Sequence, residues 1–179
     1  LCTFSRICKE KGIEDAILAV NKCNENAGKE IFTLDLYGQV DVNYIQTFED
    51  MQKEFNKSIK YVGLVDADKS TSVLKDYDIL LFPTFWSGEG FPGTLMDALF
   101  SGLPVLATDW RYNFDILEEG KTGIKVNVND VDVMVEKLMY YYNNQQELYE
   151  MKRECVASAK QYLPDNVMEK VISYMLESK

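Results

Sequence analysis

A doubly wound α/β fold, a Rossmann-like parallel sheet with helices on both faces, is the architecture this sequence predicts. Short apolar runs of strand length alternate with amphipathic stretches of helical spacing from one end to the other, which is the order of repeated βαβ units. The runs DILLFPT (78–84) and LPVLAT (103–108) are almost continuously apolar, as strands covered on both faces must be. No repeat, low-complexity tract or Pro/Gly-rich linker interrupts the 179 residues, so a single domain over 1–179 is expected.

The elements follow in order. Leu1 to Ser5 reads as a truncated strand. Ile13, Ala16, Ile17, Val20 and Cys23 recur at helical spacing and make the first helix one-sided. IFTLDLYG (31–38) is a strand closing on glycine, Val42 to Phe55 a more polar helix, and IKYVG (59–63) a short strand. Asp68 to Tyr77 reads as a short helix leading into the strand at 78–84. The turn-rich WSGEGFPG (86–93) precedes a helix closed by Gly102, then the strand at 103–108. Asn113 to Glu119 is a short helix and Gly123 to Asn127 the last strand. Val131, Met134, Val135, Leu138 and Tyr142 form the stripe of one helix, and Leu148, Met151, Cys155, Ala159 and Tyr162 that of another. Pro164 suits the start of a terminal helix running to Leu176. In such a fold ligands bind at the carboxyl ends of the strands, near the reversal of strand order. The loops of interest are therefore those after Ser5, Gly38, Gly63, Thr84 and Thr108.

Composition excludes several classes of function. Lys plus Arg number 19 against 29 Asp plus Glu, a net charge of −10, which argues against a general nucleic-acid or anionic-membrane binder. The absence of histidine removes Ser-His-Asp and Cys-His nucleophiles, histidine-ligated zinc and a histidine general base. Cys2, Cys8, Cys23 and Cys155 show no C-x-x-C spacing and are expected as reduced, buried thiols. No apolar run approaches the ~18 residues of a transmembrane helix. The opening LCTFSRICKEKG lacks a signal-peptide layout and starts without methionine, which suggests a domain cut from a longer chain.

Three features carry chemistry. In the loop Trp86 to Gly93, Gly88, Gly90 and Gly93 clear side chains from around Glu89, and the amides near Phe91, Gly93, Thr94 and Leu95 open a helix. Free N–H groups at the positive end of a helix dipole suit a phosphate, although such a turn also occurs as a tight turn only. Glu89 and Asp97 have seven residues between them. Carboxylates beside an anion site are suited to sugar hydroxyls, while the plainer alternative is a loop charge and a solvated first-turn acid. Arg6 and Lys11, in the loop between the first strand and first helix, face the same rim and offer positive charge to a diphosphate.

GEGFPGTLMDALFSGLPVLATDW (88–110), DILEEGKTGIKV (115–126) and SRICKEKGIEDAILAV (5–20) together resemble the C-terminal half of retaining GT-B glycosyltransferases of "family 4". The last of these matches the family's Gly-Arg-x-x-x-x-Lys-Gly opening, and the likeness extends from Ser5 to about Tyr142. The resemblance implies that Arg6 and Lys11 contact the donor diphosphate and that Glu89 lies near the donor sugar hydroxyls, these three being the catalytic candidates. It further implies that Gly90, Phe91, Gly93, Thr94 and Leu95 present main-chain groups to the phosphates. Asp97 takes the place of a second glutamate that holds the ribose, and Tyr61 to Val65, with Gly63, borders the base. Asp97 is one methylene shorter than that glutamate, Asp115 stands where the family often has Glu, and Ser5 replaces a glycine, which makes its turn less permissive.

What the resemblance implies for function is a donor-binding domain for a nucleotide-diphosphate sugar, UDP-sugar above others. The acceptor would be a polysaccharide or lipid-linked glycan, as in capsule, O-antigen or exopolysaccharide synthesis. No metal and no cofactor beyond the substrate is expected. The acceptor site would lie on an N-terminal domain outside this sequence, so the chain alone is expected to bind donor without transferring sugar. The whole enzyme would be cytoplasmic, peripheral at the inner face of the plasma membrane. Alternatives are another GT-B enzyme, a sugar epimerase or phosphorylase, and a doubly wound regulatory module. The last needs an acidic cluster after the first strand, where Ser5-Arg6 stands instead.

Overall fold

A computed structural model describes residues 1–177. Six strands, β1 (Cys2–Phe4), β2 (Leu34–Tyr37), β3 (Ile59–Gly63), β4 (Leu80–Phe82), β5 (Val105–Thr108) and β6 (Gly123–Val126), form one sheet. Every pairing is parallel and the order is β3-β2-β1-β4-β5-β6. This is the doubly wound arrangement, with its reversal between β1 and β4.

The helices are α1 (Ile13–Ala27), α2 (Ile45–Lys53), α3 (Ser70–Leu74), α4 (Gly93–Phe100), α5 (Asn113–Ile116), α6 (Val131–Asn143), α7 (Gln145–Ala159) and α8 (Pro164–Glu177). Two apolar layers sandwich the sheet, and alternation along each strand assigns side chains to them. Leu81 of β4 and Leu106 of β5 join Ile17 and Val20 of α1, Phe48 of α2 and Leu138 of α6. Their neighbours Leu80, Phe82, Val105 and Ala107 join Leu74 of α3, Leu95 and Leu99 of α4, and Cys155 of α7. The predicted fold class and every predicted element are present.

Element ends differ where a competing hydrogen bond wins. The strand expected over 31–38 begins only at Leu34, because the amides of Ile31 and Phe32 donate to Asn24 Oδ1 instead of to a ladder. The helix expected from Val42 begins at Ile45, since the Asp41 carboxylate accepts from the Asn43 amide and its carbonyl from the Tyr44 amide. The strand expected to reach Thr84 ends at Phe82, after which the Phe85 amide turns away to the Glu10 carbonyl.

All four cysteines are free and buried. Burial pushes the thiols of Cys2 and Cys155 up to about 12 and that of Cys23 up to about 11. An unfolded thiol ionises near ~8.5. Above that pH the unfolded chain releases protons that the native state keeps, so this contribution is complete below it and is lost as pH rises towards the native values. The urea midpoint at about pH 10 should therefore lie below that near neutrality, and a Cys23→Ala variant should show a shallower fall.

Candidate functional site

The chain folds back on itself where β1 and β4 end side by side. After Phe4, the Ser5 amide donates to the Tyr37 carbonyl and the Ile7 amide to Gln39. A 3-10 turn, Lys9–Lys11, then closes on Gly12 at φ 69°. A Cβ on Gly12 would meet the Pro83 carbonyl oxygen at 2.2 Å, so only glycine lets this loop lie against the end of β4. That close approach carries Lys11 inward. Its side chain is 9% exposed, and Nζ lies 2.6 Å from Glu89 Oε2, whose side chain is 5% exposed. The two residues are 78 positions apart.

A buried ion pair persists only when its remaining bonding needs are met. Thr84 Oγ1, fully buried, donates to the same Glu89 oxygen at 2.7 Å. The faces of Trp86 and Phe82 lie 4.8 Å and 5.5 Å from Lys11 Nζ, close enough for cation–π attraction. Arg6 lies further out, its side chain 45% exposed, 3.4 Å from Asp41 Oδ2 and 5.2 Å from the Trp86 ring. Trp86 is fixed from behind by Trp110, whose Nε1 donates to the Trp86 carbonyl at 2.8 Å.

Helix α4 completes the rim. Pro92 precedes it without a side-chain cap. The Leu95 amide is taken by the Pro92 carbonyl at 3.0 Å, which leaves the Gly93 and Thr94 amides without a protein partner among the described residues. The Thr94 hydroxyl donates to the Phe4 carbonyl at 2.9 Å and locks the helix start to the end of β1. A cavity of about 270 Å³ opens here, lined by Arg6, Lys11, Trp86, Glu89, Gly93 and Thr94 among others. A second, of about 320 Å³, shares Arg6 and Thr94 and extends to Tyr37, Gln39, Leu64 and Val65. Cation, helix amides and a buried carboxylate thus surround one space, an arrangement suited to an anion joined to a hydroxyl-rich group.

Of the residues expected here, Arg6, Lys11, Glu89, Gly93 and Thr94 line the first cavity. Gly63, Gly90, Phe91, Leu95 and Asp97 line neither. Leu95 is buried in the core, and its amide is engaged. Phe91 is 63% exposed, its ring 6.2 Å from that of Tyr162. Gly63 turns at the end of β3, its carbonyl accepting from the Gly38 amide, while Leu64 and Val65 beyond it reach the second cavity.

The loop glycines differ in what packing requires of them. A Cβ on Gly90 or Gly93 would meet nothing within 4 Å, whereas one on Gly88 would meet the Trp86 ring at 2.7 Å. Only Gly88 is required by packing, because the indole lies across it. Ser5 is not among the described residues with a positive φ. The tight spot belongs to Gly38, at φ 139° with its Cβ position 1.8 Å from the Ser5 carbonyl oxygen. Thr84 was not anticipated as a site residue. A hydroxyl closing an apolar strand beside the glycine loop was its one signal.

Comparison with known proteins agrees with this geometry. Residues 1–144 match the family model described as Glycosyl transferases group 1. The GtfA subunit of a UDP-N-acetylglucosamine–peptide N-acetylglucosaminyltransferase from Streptococcus agalactiae is 27% identical over 176 residues, covering 94% of this chain and 33% of the relative. The amylovoran biosynthesis glycosyltransferase AmsK of Erwinia amylovora is 25% identical, covering 69% and 31%. The chain thus spans about a third of the length of these curated relatives. Among solved structures, Anabaena Alr3699/HepE in complex with UDP superposes with a TM-score of 0.82 at 18% identity, covering 99% of this chain and 48% of that one. The C-terminal domain of a group 1 family protein (LpcC) from Francisella tularensis gives 0.78 at 19% identity, covering 89% and 83%.

Proposed function

The chain belongs to the glycosyl transferases group 1 family, and from that premise we propose that it is the half of the enzyme that binds a nucleotide-diphosphate sugar. The observation that carries this reading is the shared cavity: Arg6 and the unpartnered Gly93 and Thr94 amides stand beside the buried Glu89 carboxylate. Breaking the bond between a sugar and a diphosphate develops negative charge on the leaving phosphate oxygen. Arg6 and the α4 amides are fixed groups of the sign that charge requires, and preorganised dipoles of this kind lower the barrier. Glu89, held by Lys11 and Thr84, accepts from hydroxyls of the departing sugar. Tyr37, Leu64 and Val65, around the adjoining cavity, provide apolar surface for a base.

A UDP-sugar is the preferred donor, supported by the complexes of Anabaena HepE with UDP and with UDP-glucose. A growing polysaccharide or lipid-linked glycan is the proposed acceptor, supported by the amylovoran enzyme among the relatives. The acceptor site and the remaining walls of the cleft belong to a further N-terminal domain, supported by the greater length of the relatives. Sugar transfer therefore requires more than residues 1–179, while donor binding does not. No described helix is long and apolar enough to cross a membrane, and the reading places the enzyme on the cytoplasmic side, where nucleotide sugars are made.

Calorimetry with UDP, GDP, ADP and their glucose conjugates tests the proposal. UDP and UDP-glucose should bind more tightly than their guanosine and adenosine counterparts, and no binding to any of them would overturn it. Arg6→Ala should weaken UDP roughly tenfold, the loss of one charge-assisted contact, and leave uridine nearly unchanged. Equal losses for the two would remove Arg6 from the phosphate.

A further inference from the structure

We propose that Thr84 is a positioning residue that sets the orientation in which Glu89 meets the donor sugar. The inference rests on the donor reading above and assigns a role to a side chain that does not line the cavity. Thr84 Oγ1 carries one proton and has three neighbours: Glu89 Oε2 at 2.7 Å, the Glu10 carbonyl at 3.3 Å and the Trp86 amide at 3.3 Å. A carboxylate oxygen only accepts, so the short contact requires the hydroxyl to donate to Glu89, and the Trp86 amide then donates to Oγ1.

The hydroxyl is itself held firmly. Thr84 is fully buried, and its carbonyl accepts from the Thr108 hydroxyl at the end of β5. Two charge-assisted bonds, from Thr84 and from Lys11 Nζ, converge on one oxygen of Glu89. They arrive from different strands' loops, so together they fix the rotation of the carboxylate as well as its place. The other oxygen, Oε1, receives no bond among the described residues and remains for a ligand in the cavity that Glu89 lines. Lys11 alone would leave the carboxylate free to turn about a single contact and to present either oxygen, or neither, to the sugar.

The test separates sugar recognition from nucleotide binding. Affinities of the chain for UDP and for UDP-glucose are measured by calorimetry in wild type, T84V and T84S. Wild type should prefer UDP-glucose. T84V, similar in shape but without the hydroxyl, should lose that preference by roughly tenfold while UDP affinity changes by less than about twofold. T84S, which keeps the hydroxyl, should retain it. A T84V protein that keeps the full preference overturns the role of Thr84 alone, as does one that loses UDP and UDP-glucose equally, which would mark general loosening. A wild type with no preference overturns the contact of Glu89 with the sugar and this inference with it. Should T84V fail to fold by far-ultraviolet circular dichroism, T84C is read by the same criteria.

Discussion

Replacing Lys11 with methionine should destabilise the protein by about 3–5 kcal/mol, the usual cost of removing one partner from a buried ion pair. The cost comes from what remains. Glu89, 7% exposed, would keep its charge and one hydroxyl bond after losing the ammonium 2.6 Å away. The ring faces of Trp86 and Phe82 that flank Lys11 Nζ carry no donor to take its place. The urea midpoint should fall accordingly. The double variant Lys11→Met, Glu89→Gln should recover a substantial part of the loss, because the stranded charge has gone. A Lys11→Met protein as stable as wild type would show that the pair is not maintained in solution. The pair also limits Lys11 as a phosphate ligand: its charge is already matched, and Arg6 is the cation left with exposed surface on the cavity.

Gly38→Ala should be about as damaging, at roughly 3–5 kcal/mol. The new methyl carbon would stand 1.8 Å from the Ser5 carbonyl oxygen, at a backbone φ of 139°. Neither group can swing aside, because the Ser5 amide is bonded to the Tyr37 carbonyl and the Gly38 amide to Gly63. Gly63→Ala is the control: φ is also positive, at 97°, but nothing lies within 4 Å of the added carbon, so it should cost only about 1–2 kcal/mol. Similar melting temperatures for the two variants would mean that the β1–β2 loops separate more easily than their packing indicates. Since Arg6 follows Ser5 directly, Gly38→Ala should also weaken nucleotide binding in whatever fraction remains folded.

The fold was readable because its determinants are local and periodic. One-sided helices and doubly apolar strands leave few arrangements, and the loops that matter follow from the switch point once strand order is known. The uncapped start of α4 and the neighbourhood of Arg6 were likewise visible in short stretches. What escaped depends on distance through space. The Lys11–Glu89 bond joins two loops 78 residues apart, and no spacing rule says that one charge meets the other instead of solvent. Ser5 looked like the constrained position, yet the glycine that permits the close approach sits on the neighbouring strand. Asp97 matches a motif by spacing, and whether such a position lines a cavity depends on the helix's rotation, which spacing does not give; it lines neither cavity. The strand-end hydroxyl of Thr84 bears on the site only because the loop after it curls back over it.

The chain has two tryptophans: Trp86, on the rim, lends its face to Arg6 and Lys11, and Trp110, behind it, donates its indole proton to the Trp86 carbonyl. Excitation of indole in this protein therefore samples a wall of the cavity and the side chain directly behind it. Two cations lie over the Trp86 ring, so a diphosphate drawn to Arg6 should change its emission. The molecule carries a built-in optical label at the place where its ligand is proposed to bind, and its other tryptophan is in contact with the first.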